Sequence, residues 1–138
     1  MRILTDDLEG DYVSLLPEGG YILTSRHPVL TDVYSEITKC AGLKKDSLES
    51  LEKVKRLLLA EGFSNEGQHV QTNIMLRDHN RRECVEIMEA WWQAIARYSK
   101  RDQTSFNYAV WKCGGEFSMV PWEDVSARLF TTDYMHQK

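Results

Sequence analysis

The chain has no long apolar run, few cysteines and no surplus of positive charge, and each shortfall removes a class of function. No stretch approaches the roughly 20 apolar residues that a membrane-spanning helix needs, so no transmembrane segment is expected. The opening "MRILTDDLEGD" turns acidic by Asp6, which a secretory leader with its longer apolar centre does not do, and a cytoplasmic location is expected. The three cysteines, Cys40, Cys84 and Cys113, are odd in number and widely spaced, which fits neither a disulfide framework nor a CxxC metal site. Reduced, buried thiols are the expected state. With 17 Lys and Arg against 21 Asp and Glu, the net charge of -4 supplies no basic face for nucleic acid, and no nucleic-acid partner is expected. Three prolines and eight glycines gather into no linker and no repeat is visible, so the 138 residues are read as a single domain, 1–138, long enough to bury a core.

What is present is an alternation of strand-like and helix-like segments. "GGYILTSRHP" reads as a strand, Tyr21-Ile22-Leu23-Thr24, opened by Gly19-Gly20 and closed before Pro28. "VLTDVYSEITKCAG" reads as a short helix ending at Gly42, and Asp46 or Ser47 is placed to cap the next, whose Leu48, Leu51, Val54 or Lys55, and Leu58 follow helical spacing up to Gly62. Val70 to about Leu76 has the brevity and β-branched content of a strand. The best-defined helix carries Cys84, Ile87, Met88, Trp91, Ile95 and Tyr98 on one face, with acids in its first half and bases at its end, as the helix dipole favours. Asp102 is placed to cap a second helix bearing Phe106, Ala109, Val110 and Cys113, which Gly114-Gly115 ends; "EFSMV" and "ARLF" read as further strands. Strands alternating with helices predict an α/β fold.

Three clusters combine charge with hydrogen-bonding capacity: Arg26-His27 at a strand end, "RDHN" (Arg77 to Asn80) at another, and "RDQ" (Arg101 to Gln103) at a helix start. Loops beyond the carboxyl ends of strands are where α/β proteins bind ligands, and helix starts suit anions. Each cluster also has a plain structural reading. Asp78 or Asn80 serves as a helix cap, His27 as a strand-end hydrogen-bonding group, and Asp102 as a cap with Gln103 exposed. Trp91 reads as core, and Trp92 either as core or as the wall of a groove that stacks on a sugar.

The run "LLLAEGF…VQTNIMLRDHN…WWQAIARYSKRDQTSFNYAVWK" resembles a glycosyltransferase-like domain family of bacterial polysaccharide and lipopolysaccharide enzymes and plant cell-wall or mucilage proteins. The matching elements are His27-Pro28, Tyr34 and Glu36, Glu61-Gly62, Arg77 and His79, Trp91-Trp92, and Arg101-Asp102-Gln103 with Ser105-Phe106, spanning roughly Tyr21 to Lys112. That family is similar to GT-A glycosyltransferases, which bind a nucleotide-diphospho-sugar on a Rossmann-like half and hold a divalent metal, Mn or Mg, with a D-x-D motif. The resemblance therefore implies catalytic roles for Asp102 and Gln103 at the donor sugar. It implies substrate contacts for Arg101, Arg77, His79, His27 and Trp92, and metal ligation for Asp7 and His136. The implied partners are a nucleotide-diphospho-sugar and a glycan acceptor.

The sequence departs from that pattern at its start. The nucleotide-binding half and its D-x-D are expected ahead of the His-Pro strand, where 26 residues precede His27 and Asp6-Asp7 is the nearest acidic pair. That pair equally reads as an acidic turn or helix cap. The expected fold is thus a partial GT-A-like three-layer α/β fold lacking most of its N-terminal nucleotide-binding half. Three functions follow: the acceptor-side portion of a glycosyltransferase, inactive alone, either a gene fragment or a subunit completed by a separate nucleotide-binding chain; a non-catalytic sugar-binding or interaction domain; or a minimal transferase using Asp6, Asp7 and His136. A sheet without its neighbours would expose an edge, for which a homodimer is the expected remedy.

Overall fold

The computed structural model describes residues 14–124 and two short strands outside them, β1 (Arg2–Ile3) and β5 (Phe130–Thr131), which pair antiparallel. The α/β expectation holds as a mixed three-strand sheet packed with helices. At its centre is β2 (Ile22–Arg26), antiparallel to β3 (Val70–Arg77) on one side and parallel to β4 (Ser118–Pro121) on the other. Ile22 to Ser25 are all buried, as befits a central strand covered on both faces.

Alternation along β2 sends neighbouring side chains to opposite faces. Ile22 joins one core with Val70, Cys84, Ile87, Phe106 and Val110, under α3 (Arg82–Arg97) and α4 (Phe106–Lys112). Leu23 faces the other way, onto Leu15, Leu16, Ile74 and Trp122. A second helical core joins α1 (Val33–Gly42) to α2 (Leu48–Ala60) through Val33, Ile37, Leu51, Val54 and Leu58. Both helices are capped by side chains: Asp32 Oδ1 accepts from Ser35 N at 2.7 Å and Ser47 Oγ from Ser50 N at 3.1 Å. Leu48, expected on the buried stripe of α2, is 65% exposed, at the first residue of the helix.

Two cap expectations are corrected. Asp102 does not cap α4: residues Asp102–Thr104 form a short 3-10 turn and Ser105 is the helix's N-cap. Neither Asp78 nor Asn80 caps α3; Arg81 occupies the N-cap, and Asp78 Oδ1 instead accepts from Asn80 N at 3.2 Å within the turn. In α3 the stripe runs through Cys84, Ile87, Met88 and Trp91 as expected, but Ala94 rather than Ile95 is buried on its next turn.

After α4 the chain reverses at Gly114, with φ of +67°, and passes so close to α3 that a Cβ on Gly115 would lie 2.5 Å from Ile87 Cδ1 and 3.2 Å from Tyr21 Oη. Ile87 is fully buried, so moving its Cδ1 aside would disturb the core around it. Gly115→Ala is expected to destabilise by about 1–3 kcal/mol through overpacking, read as a lower midpoint in urea.

Candidate functional site

The pairing of β2 with β3 carries a dislocation from which the site grows. Thr24 opposes Met75 while the next residue, Ser25, opposes Gln71, so Thr72, Asn73 and Ile74 bulge out of register. The carbonyls freed by the bulge are met by hydroxyls. Ser25 Oγ donates to Gln71 O at 3.0 Å, and Thr24 Oγ1 lies 3.2 and 3.1 Å from the carbonyls of Gln71 and Ile74. Thr72 is clamped by the RDQ turn: its N–H donates to Gln103 Oε1 at 3.1 Å and its hydroxyl to Asp102 Oδ2 at 3.1 Å.

The other end of the Gln103 amide donates to Glu36 Oε1. Glu36 stands on α1 within the same apolar stripe as Val33, Ile37 and Cys40, and only 6% of it is exposed. Its carboxylate collects further bonds. His69 Nε2 lies 3.2 Å from Oε1, and the Cys40 thiol donates to Oε2 at 3.7 Å. His69 is itself buried, with Nδ1 accepting from Asn65 Nδ2 at 3.2 Å, and Asn65 Oδ1 accepts from Val33 N at 2.8 Å. These partners place the imidazole proton on Nε2, facing Glu36. Burial opposes the Glu36 charge, but hydrogen bonds from His69 and Gln103 and the nearby histidines outweigh it and hold the carboxyl down at about 2. It is an anion throughout the neutral range.

Above this carboxylate opens a cavity of about 210 Å³ whose wall includes His27, Glu36, Lys39, Lys45, Arg101 and Gln103. Lys39, Lys45 and Arg101 form no ion pair with a carboxylate of the described residues. His27 stacks on His69 with ring centroids 5.5 Å apart, and its Nδ1 accepts from the backbone N–H groups of Val29 and Leu30 at 3.1 and 2.9 Å. Burial pushes the His27 imidazole down, and His69 and Lys39 add to this against the pull of Glu36. Burial, with Glu36 beside it, pushes the Cys40 thiol up against the pull of Arg101, and the thiol donates to Glu36.

Of the residues expected at the site, Arg101, Gln103 and His27 come together in this cavity. Asp102 is on the same turn but spends Oδ2 on Thr72, while its carbonyl accepts from Trp91 Nε1 at 2.9 Å. Arg77, His79 and Trp92 lie elsewhere. They line a separate, mainly apolar cavity of about 630 Å³ with Met75, Leu76 and Met88, at the far end of β3 and on the order of 15–20 Å along the strand from Gln71. Asp7 and His136, the metal ligands the resemblance implied, fall outside the described residues. Among the described residues, no three His, Cys, Asp or Glu side chains are grouped to hold a metal ion.

Sequence reasoning passed over Lys39, Lys45 and His69, and read Asp46 only as a candidate helix cap, a place that Ser47 takes. Asp46 positions the RDQ turn from outside: its Oδ2 accepts from Ser99 Oγ at 2.7 Å and from Lys100 N at 3.2 Å. Glu36 entered only as a family element, yet it carries a signal of its own. A carboxylate inside an apolar helical stripe is buried, and a buried carboxylate needs partners.

Compared with models of protein families, with curated proteins and with solved structures, the chain matches none. No helix among the described residues is long and apolar enough to cross a membrane.

Proposed function

We propose that the cavity over Glu36 binds the phosphorylated end of a sugar donor of the nucleotide-diphospho-sugar kind, and that the chain forms the sugar side of a glycosyltransferase. The observation that carries this reading is the convergence of Lys39, Lys45 and Arg101, none in an ion pair with a described carboxylate, on one cavity beside Glu36 and Gln103. Two pairs of motif residues of the resemblance also bond to one another: Glu36 to Gln103 and Trp91 to Asp102.

The chemistry assigned to each group follows from its state. Two ammonium groups and a guanidinium meet the oxygens of a departing phosphate, where a fork of N–H donors grips best. A carboxylate held ionised beside them cannot act as a general acid, but it stabilises the positive charge that develops at an anomeric carbon. Asp102 and Gln103 act in this reading by fixing Thr72 and Glu36, since their bonds are already given to those partners.

Titration calorimetry with uridine diphosphate, guanosine diphosphate and glucose 1-phosphate, each with and without manganese, tests the reading. At least one of these is expected to bind in the micromolar-to-millimolar range. Arg101→Ala should weaken that binding by about tenfold or more, since a hydrogen bond to a charged group contributes roughly 1.5–3 kcal/mol. Lys39→Ala and Lys45→Ala should each weaken it less. Absence of binding for every probe at millimolar concentration, or unchanged binding in Arg101→Ala, would overturn it.

A further inference from the structure

A third cavity, of about 360 Å³, opens between the α2–β3 connection and α4, a volume within the roughly 300–1,000 Å³ typical of small-molecule sites. Its walls are of two kinds. Phe63, Trp111 and Phe117 supply apolar surface, and Gln68, Asn107 and Glu116 supply polar groups. Trp111 is the main platform. Its ring lies 5.3 Å from that of Phe63 at a 56° tilt, so it is held at one side, yet 49% of the residue is open to solvent.

The polar groups are only partly committed. Asn107 Nδ2 donates to the carbonyl of Gln68 at 2.8 Å, which fixes the amide, but Asn107 Oδ1 is buried with no hydrogen-bond partner. Asn107 as a residue is 94% buried (6% exposed), where an acceptor without a donor is costly. The side chains of Gln68 and Glu116 have no hydrogen bond to another described residue. No lysine, arginine or histidine lines the cavity.

We infer that this cavity is a binding site for an uncharged sugar ring. A flat, half-open indole suits the C–H face of a pyranose, as aromatic side chains combine large contact area with fixed geometry. Amide and carboxylate groups around that platform match the alternating donor and acceptor character of ring hydroxyls. With no cation in the wall and Glu116 present, a phosphorylated or carboxylated ligand is disfavoured, which separates this site from the cavity over Glu36. A buried chain of bonds joins the two: Glu36 reaches His69, and His69 reaches Asn65, which lines the cavity beside Trp111.

The inference does not rest on the donor reading, since its probes carry no phosphate. Amide spectra of the labelled chain are followed during titration with methyl glucoside, methyl galactoside and methyl mannoside up to tens of millimolar. The indole signal of Trp111 and the side-chain amides of Gln68 and Asn107 are expected to shift together and saturate with at least one glycoside. Trp111→Ala should abolish the saturation, Gln68→Ala should weaken it severalfold, and Trp92→Ala, at the other exposed indole, should leave it unchanged. If Trp111→Ala fails to fold, the exposed Gln68→Ala decides. No saturable shift with any glycoside, undiminished binding in these variants, or shifts with uridine alone would overturn the inference.

Discussion

Glu36→Ala is expected to cost about 3–5 kcal/mol of stability, among the largest losses available to a single substitution in this chain. The cost comes from the partners left behind. His69 Nε2 and the Gln103 amide both donate to Oε1 from buried or half-buried positions, and without the carboxylate neither has another acceptor among the hydrogen bonds described. The loss would also travel, because Gln103 holds the N–H of Thr72 at the β-bulge with its other atom. Urea unfolding of the wild type and variant measures the difference, and a loss under about 1 kcal/mol would show that the network contributes little.

The same carboxylate sets a dependence on acid. Its folded value of about 2 lies below its ordinary 4.5, so it favours the folded state above the ordinary value and loses that effect as pH falls towards 2. The wild type should therefore shed about 3 kcal/mol between pH 5 and 2 from this group. Glu36→Gln keeps the shape and an acceptor but not the charge. Its unfolding midpoint should be the less sensitive to pH across that interval, and parallel profiles for the two proteins would contradict the assignment.

The elements were legible because their signals were local. Val33, Ile37 and Cys40 write one helical face, Ser47 a cap, and Gly114-Gly115 an end, and each of these depends on residues within a few positions. The cap readings of Asp102 and Asp78 failed for a related reason. A carboxylate near a helix start has several backbone and hydroxyl donors in reach, and the choice of Thr72 by Asp102 depends on a bulge in a strand 30 residues away. The bulge itself left no mark in a sequence, "VQTNIMLR", that reads as an unbroken strand.

The candidate site was legible by halves. Arg101, Gln103 and His27 line one cavity, whereas Arg77, His79 and Trp92, which the resemblance grouped with them, stand at the other end of β3, because an eight-residue strand holds its two ends well apart. The cations Lys39 and Lys45 look like ordinary surface residues in sequence. The docking of α1 against the 3-10 turn brings Lys39, and Lys45 just after the helix, to the wall of the cavity that Arg101 also lines.

Phe106→Ala should produce a loss comparable to that of Glu36→Ala, about 3–5 kcal/mol, by a different route. The phenylalanine that follows the RDQ turn is fully buried, edge-on to Trp91 at 5.0 Å and to Phe117 at 5.2 Å between ring centroids. Removing it leaves a void among side chains of α3, α4 and the sheet, and Trp91 would lose the neighbour that helps hold its indole against the carbonyl of Asp102. Thermal unfolding should show the loss, and tryptophan emission should shift as the Trp91 environment loosens. Phe106→Leu, which refills most of the volume, should recover part of the stability. The comparison bears on the site as well as the core. If Phe106→Leu folds but loses phosphate-probe binding along with the Trp91 signal, the RDQ turn is positioned through its aromatic anchor. If that variant binds normally, the clamp formed by Thr72, Glu36 and Asp46 suffices to place Arg101.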